Sequence, residues 1–312
     1  VHLSEGMLPL SHAAAWTAAA APVVLWSLRG EQRRQQDSPS SSVLIAGATS
    51  LLFAGTLLPL PVPVIGASSH ICLTPVLGLI VGVRRIVWPT FFVLLLQAIF
   101  FAHGGLTTLG VNTLTLGLLG PAVAAGLWAL LRRTGVPKAL GLALACGLGD
   151  LSVYVADAIV LAAALSDVTA PATTFVAVVL GFAPVQVPLA VLEAAASAGM
   201  VRLLATRRPD FLPARLRPLS TAPASAACLL LLLVGASLSG CGHDTGGFKG
   251  IDDSIFGAAA ESAGRPPTDS IIDLSQGEIG LAMSIIILFG LGFVAGRTWE
   301  RHLGRERGAP PR

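Results

Sequence analysis

Long apolar runs separated by short polar turns dominate this sequence. Nine of them approach the length of a membrane span: about 8–28, 42–60, 64–83, 86–103, 108–131, 139–165, 173–201, 222–238 and 279–296. A bilayer core needs roughly 20 helical residues to cross it. In hydrocarbon a chain must satisfy its own backbone hydrogen bonds, so these runs are expected to be helices. The polar connections then sort by charge. With the N-terminus outside, 18 of the 20 Lys and Arg fall on the inner side, and only Lys249 and Arg265 face the other way. The positive-inside rule therefore predicts an all-α, polytopic membrane protein of about nine transmembrane helices, N-terminus outside and C-terminus cytoplasmic. No basic stretch precedes the first run and arginines follow it, so it is expected to be a retained span rather than a cleaved signal.

Composition agrees with the pattern. The chain is 54% hydrophobic and 12% charged, where soluble domains carry about 25% charged residues. Its mean hydropathy is +0.77. The net charge of +3 arises from residues that set topology, so it implies no nucleic-acid partner; the surrounding is the lipid bilayer. Cys72, Cys146, Cys228 and Cys241 form no C-x-x-C pair and so no zinc motif. No G-x-x-x-x-G-K-[ST] loop is present, so ATP hydrolysis is not expected on this chain. A basic, proline-broken stretch at 206–221 reads as a cytoplasmic linker between a module at 1–205 and a second at 222–312. The second has two spans around an outer, Gly- and acid-rich loop, Ser239 to Glu278, expected to be loosely ordered.

The candidate chemistry starts at the first residues, Val1-His2-Leu3-Ser4-Glu5-Gly6. A terminal amine, the residue-2 peptide nitrogen and His2 Nδ1 can close a five- and a six-membered chelate ring. Three nitrogens then lie in one plane, and one more imidazole completes a square. Square-planar nitrogen coordination favours Ni²⁺ or Cu²⁺ over Zn²⁺, Mg²⁺ or Ca²⁺. His70 is the candidate fourth donor. Only 13 residues separate it from Arg84, about 20 Å of helix. Either a full span starts before His70 or the backbone breaks around Gly66-Ala67-Ser68-Ser69. Both place His70 below the outer surface in a small-residue, hydroxyl-rich stretch. The next outer turn, with His103, Gly104, Gly105, Thr107, Thr108 and Asn112, clusters polar groups under the same face. Helix capping explains its threonines and glycines but not His103 or Asn112. Glu5, Ser68, Ser69, His103, Thr107 and Asn112 are therefore candidates to support the ligands from outside.

Within the spans, Asp150, Tyr154 and Asp157 share one helix face, and Gln186 and Glu193 lie on the next span. Acids inside spans are costly and point to function or to buried interhelical bonds. They leave two rival readings: an intramembrane enzyme using His103, Asp150, Asp157 and Glu193, or a secondary carrier driven by protons through Asp157 or Glu193. No H-E-x-x-H or nucleophile motif supports the enzyme.

The run His2-Leu-Ser-Glu5-Gly6, the turn Gly66-Ala-Ser-Ser-His70 and the stretch Leu94-Leu-Leu-Gln-Ala-Ile-Phe-Phe-Ala-His-Gly-Gly-Leu-Thr-Thr-Leu-Gly-Val-Asn112 resemble the CbiM/NikM family. That family is the substrate-binding membrane component of nickel/cobalt energy-coupling-factor (ECF) transporters. Gly149-Asp150-Leu-Ser-Val-Tyr154 and Val187-Pro-Leu-Ala-Val-Leu-Glu193 are similar too, so the resemblance covers residues 1 to about 205. The rest, with Ser275-Gln-Gly-Glu278, resembles the auxiliary CbiN/NikN component fused behind it. One departure stands out: Ile71-Cys72-Leu73-Thr74-Pro75 replaces the family's Thr-Gly-x-Gly-like run and sets a thiol two residues from His70. The resemblance implies a transporter subunit rather than an enzyme, in a prokaryotic inner membrane. It implies Ni²⁺ or Co²⁺ as cargo with no resident cofactor, and metal held by Val1 (amine), His2 and His70. It also implies partners: a CbiQ/NikQ-like transmembrane coupling subunit and CbiO/NikO-like cytoplasmic ATPases.

Overall fold

The computed structural model describes residues 2–37, 39–57, 60–62, 67–221, 249–250, 252–269, 271, 286–287, 289–294, 296–297 and 300. Val1, the expected span 222–238 and most of 279–296 lie outside them. Helices α1 (Leu10–Asp37) and α2 (Pro39–Leu57) come first, then a short helix α3 (Thr74–Val81) and α4 (Val83–Phe100). Helix α5 (Leu109–Asn112) runs through a π-helical stretch (Thr113–Leu119) into α6 (Gly120–Leu131). Helices α7 (Lys138–Ala164) and α8 (Pro171–Arg207) complete this part. Among the described residues, four spans are long and apolar enough to cross a bilayer: Val83–Phe100, Leu109–Leu131, Lys138–Ala164 and Pro171–Arg207. Each matches an expected run, because lipid leaves a long apolar segment little choice but helix.

The expected span at 64–83 is wrong. In its place the chain forms strand β1 (Leu60–Val62), strand β2 (Ala67–Ser69) and the eight residues of α3, all buried. The architecture is helical as expected, with this hairpin as a local exception. The β1–β2 hairpin pairs Leu60 with Ser69 and Val62 with Ala67. A third strand, β3 (Lys249–Gly250), runs parallel to β2, with Ala67 opposite Lys249 and Ser68 opposite Gly250. Pro75 stands in the first turn of α3, where its missing N–H costs nothing, so the helix starts there rather than at 64. Pro61 has no N–H for a helix or a central strand, and it sits on the sheet's edge strand β1. Irregular backbone at this depth is tolerated because it is packed inside protein.

The π-helical stretch also has local causes. Pro121 cannot donate to the carbonyl of Gly117, while Thr113 and Thr115 turn their hydroxyls back onto Leu109 and Val111. Helix α5 crosses α1 at Gly110. A Cβ there would stand 2.6 Å from the Thr17 nitrogen and Cα, against backbone that cannot yield. Gly110→Ala is therefore expected to destabilise the bundle by about 1–3 kcal/mol, read as a lower unfolding midpoint in detergent.

Two further expectations change. The 206–221 stretch packs back on the bundle: Leu212, Leu216 and Leu219 are buried beside Leu79 and Val81, and Arg215 donates to the Leu79 carbonyl. The segment expected to form a loose outer loop is folded over 252–269. It forms a π-helical turn (Asp253–Gly257) and helix α9 (Ala258–Ser262). Phe256 drives that order. It is fully buried among Leu3, Met7 and Phe182, with its ring centroid 4.5 Å from that of Phe182.

Candidate metal centre

Residues 2–8 thread into the protein as a strap with almost no exposed surface. His2 is 1% exposed, and Leu3, Met7 and Leu8 lie in the core. The strap is held by its backbone. Asn112 Nδ2 donates to the Leu3 carbonyl at 3.0 Å while its Oδ1 accepts from the Leu3 N–H at 3.0 Å. The Thr108 hydroxyl also donates to the Leu3 carbonyl, at 2.5 Å. Thr108 was a candidate helix cap, but its side chain makes no cap bond. It spends its hydroxyl on the strap. One turn further, the Glu5 carboxylate accepts from the Leu106 N–H at 2.7 Å, from the Thr107 N–H at 3.3 Å and from the Thr107 hydroxyl. Gly105 permits this approach, since a Cβ there would fall 2.7 Å from the Glu5 nitrogen. Past Glu5, Thr268 N–H donates to the Glu5 carbonyl and Arg265 to the Leu8 carbonyl, each at 3.0 Å.

The strap delivers His2 to two other imidazoles. His70 follows β2 directly, and His103 follows α4, with Ala102 (φ 46°) and Gly104 (φ 80°) turning the chain on either side. Ring centroids lie 4.9 Å apart for His2–His70, 4.5 Å for His2–His103 and 5.2 Å for His70–His103. One ring nitrogen from each falls within 4.8 Å of the others. Both ring nitrogens of His2 and Nε2 of His103 are buried with no hydrogen-bond partner. Buried polar atoms are normally satisfied, so the idle nitrogens of His2 and His103, converging with His70, mark a candidate binding site. Burial, reinforced by the neighbouring imidazoles, holds His2 well below its usual pKa. The ring is neutral at physiological pH, the form that binds metal.

A carboxylate reaches this cluster from the far end of the chain. Asp252 Oδ2 accepts from the His2 peptide N–H at 3.2 Å and lies 3.5 Å from His70 Nε2. Burial would raise this carboxyl, but nearby charge and its hydrogen bond with His70 outweigh it and hold Asp252 below the usual carboxylate range. Asp252 was not singled out in the sequence. It was one of seven acids from Ser239 to Glu278, and only the β2–β3 register selects it: carried two residues on, that register sets Asp252 beside His70.

Of the sequence candidates, His2, His70 and His103 come together, Glu5, Thr107 and Asn112 brace the strap, and the Ser69 hydroxyl is buried nearby without a partner. The Val1 amine and the Ser68 side chain lie outside the described residues. His103, expected only as support, belongs to the imidazole cluster itself. The intramembrane acids sit elsewhere, between helices. Gln186 donates to Asp150 at 2.9 Å across α7 and α8, and Glu193 accepts the Cys72 N–H at 2.6 Å. That last bond anchors the backbone two residues beyond His70. Cys72 packs its thiol 3.4 Å from the Thr74 hydroxyl and does not join the histidine cluster. Asp157 is fully buried one turn past Tyr154.

A family model described as CbiM, cobalt uptake substrate-specific transmembrane region, matches residues 2–211. A "Cobalt transport protein CbiM" of Geobacter sulfurreducens is 32% identical over 98% of this chain and 91% of its own length. One of Sorangium cellulosum is 36% identical over 72% of this chain and all of its own. A crystal structure titled as a truncated transition metal transporter shares the fold, with a TM-score of 0.55 at 21% identity, over 65% of this chain and 98% of that one.

Proposed function

The chain belongs to the CbiM family of cobalt uptake transmembrane proteins, and from that premise we propose that it captures Ni²⁺ or Co²⁺ outside the cell and passes it inward. It is a membrane transporter component, not an enzyme. The observation that carries the reading is the buried meeting of His2, His70 and His103. Metal is cargo here. It is held by the His2 imidazole and peptide nitrogen, His70 and, where residue 1 is the mature end of the chain, the Val1 amine. His103 stands against the same ion.

With no phosphate loop of its own, the chain works as the capture subunit of an ATP-driven energy-coupling-factor transporter in a prokaryotic inner membrane. A CbiQ/NikQ-like coupling subunit and CbiO/NikO-like ATPases supply the drive. Residues 222–312 act as an auxiliary CbiN/NikN-like module. The bond from Gln186 to Asp150 and that from Cys72 to Glu193 give two of the intramembrane acids structural work. This weighs against Glu193 as the proton carrier of the rival reading and leaves Asp157 as its one candidate.

The test is metal binding by the purified chain with its N-terminus verified by mass spectrometry, beside a form carrying two residues before Val1. The native chain is expected to bind one Ni²⁺ or Co²⁺, and the extended form to lose that binding. An extended form that binds like the native one removes the amine from the ligand set. A native chain that binds neither metal removes the capture reading.

A further inference from the structure

Asp252 touches both groups that the proposed metal site needs most, the His2 peptide nitrogen and the His70 ring, with one oxygen atom. It comes from the region beyond the bundle, 250 residues from His2 along the chain. Three independent features fix it there. Strand β3 pairs with β2 in a register that leads to His70. Phe256, one helical turn later, is fully buried against the strap residues Leu3 and Met7. Arg265 and the Thr268 N–H bond the strap's own carbonyls at Leu8 and Glu5. The segment therefore closes over the strap as a fitted piece, and its one carboxylate in the site is aimed at His70 Nε2.

An imidazole binds metal through one nitrogen and is oriented by what its other nitrogen holds. A proton on Nε2 directed at Asp252 leaves the His70 lone pair on Nδ1, which makes Nδ1 the ligand atom. A carboxylate partner also raises the electron density of the ring and strengthens it as a donor. We propose that Asp252 is a positioning residue for the metal site, setting the His70 tautomer and, in the metal-free protein, holding the His2 peptide N–H, so that residues 249–269 complete the site rather than merely cover it. This rests on the metal-capture reading above.

The test compares Ni²⁺ and Co²⁺ affinity of the full native chain with Asp252→Asn, Asp252→Glu and Asp269→Asn. Asp269 is an exposed acid of the same segment and serves as control. Loss of such a partner costs about 10–100-fold in metal affinity, and that is the fall expected for Asp252→Asn. Asp252→Glu should recover most of it, and Asp269→Asn should match the native chain. An amide can offer His70 Nε2 an N–H instead of an acceptor. Nitrogen-15 shifts of the metal-free protein should therefore show His70 moving from the Nε2–H to the Nδ1–H tautomer in Asp252→Asn.

Native affinity in Asp252→Asn overturns the proposal. So does a fall in affinity with an unchanged tautomer and no recovery in Asp252→Glu, which would mark a packing role. Absence of binding by the native chain is a different failure. It removes the capture reading, and this inference falls with it, whereas either result above leaves capture standing.

Discussion

Replacing His2 or His70 by alanine is expected to lower Ni²⁺ or Co²⁺ affinity by about 10²–10³-fold, and replacing His103 by only about tenfold. Protein metal sites of four donors gain about 10–16 kcal/mol in total, so each equatorial donor carries roughly 2.5–4 kcal/mol, or about 10²–10³ in affinity. His2 and His70 are credited with that share because one lies on the chelating end of the chain and the other faces it across 4.9 Å. His103 stands edge-on to His2 at 4.5 Å. That places its ring to close the site from the side, a role with the smaller cost of an outer partner. Competition against a chromophoric chelator gives the affinities, and the visible spectrum of bound Ni²⁺ reports whether the nitrogen square survives. If His103→Ala costs as much as His70→Ala, three imidazoles hold the ion and the Val1 amine is not required. If His2→Ala costs less than tenfold, the strap is not the metal-binding element.

Much of this arrangement was legible before any coordinates, and what was not has a physical reason. The spans at 109–131, 138–164 and 171–207 follow from hydropathy, since lipid penalises any alternative to helix. The site's N-terminal half could be singled out because position 2 gives histidine a chelating neighbour and because His103 and Asn112 exceed what capping requires. The failure at 64–83 came from reading one apolar run where its single proline, Pro75, marks the start of a short helix. The 13-residue spacing from His70 to Arg84 already allowed for the break that α3 and the hairpin show. That His103 stands within the imidazole cluster could not be foreseen, because sequence spacing says nothing about how two loops approach in space. Asp252 was out of reach altogether. Its selection depends on a parallel pairing of two residues, Lys249 and Gly250, too short to leave any periodic signal.

The second large effect belongs to a residue that touches no proposed ligand side chain. Asn112→Ala is expected to reduce metal affinity by about 10²-fold or more while leaving the bundle folded. The Asn112 amide works like a neighbouring strand, donating to the Leu3 carbonyl and accepting from the Leu3 N–H, both buried. Alanine leaves that N–H without its acceptor, a penalty of about 1–3 kcal/mol. The carbonyl keeps Thr108. The strap responds by loosening, because residues 2–5 have an exit that a helix core lacks. Re-ordering each residue at the moment of binding costs about 1–2 kcal/mol, so even two released residues reach the stated loss. The effect therefore appears in affinity and in faster hydrogen exchange at the Leu3 amide, not in the unfolding midpoint. Thr108→Val alone should act in the same direction and more weakly, and adding it to Asn112→Ala should exceed the sum of the two, because only the double variant strips the Leu3 carbonyl of both donors. A native-like affinity in Asn112→Ala would show that Glu5 and the burial of Leu3 suffice to hold His2 in place.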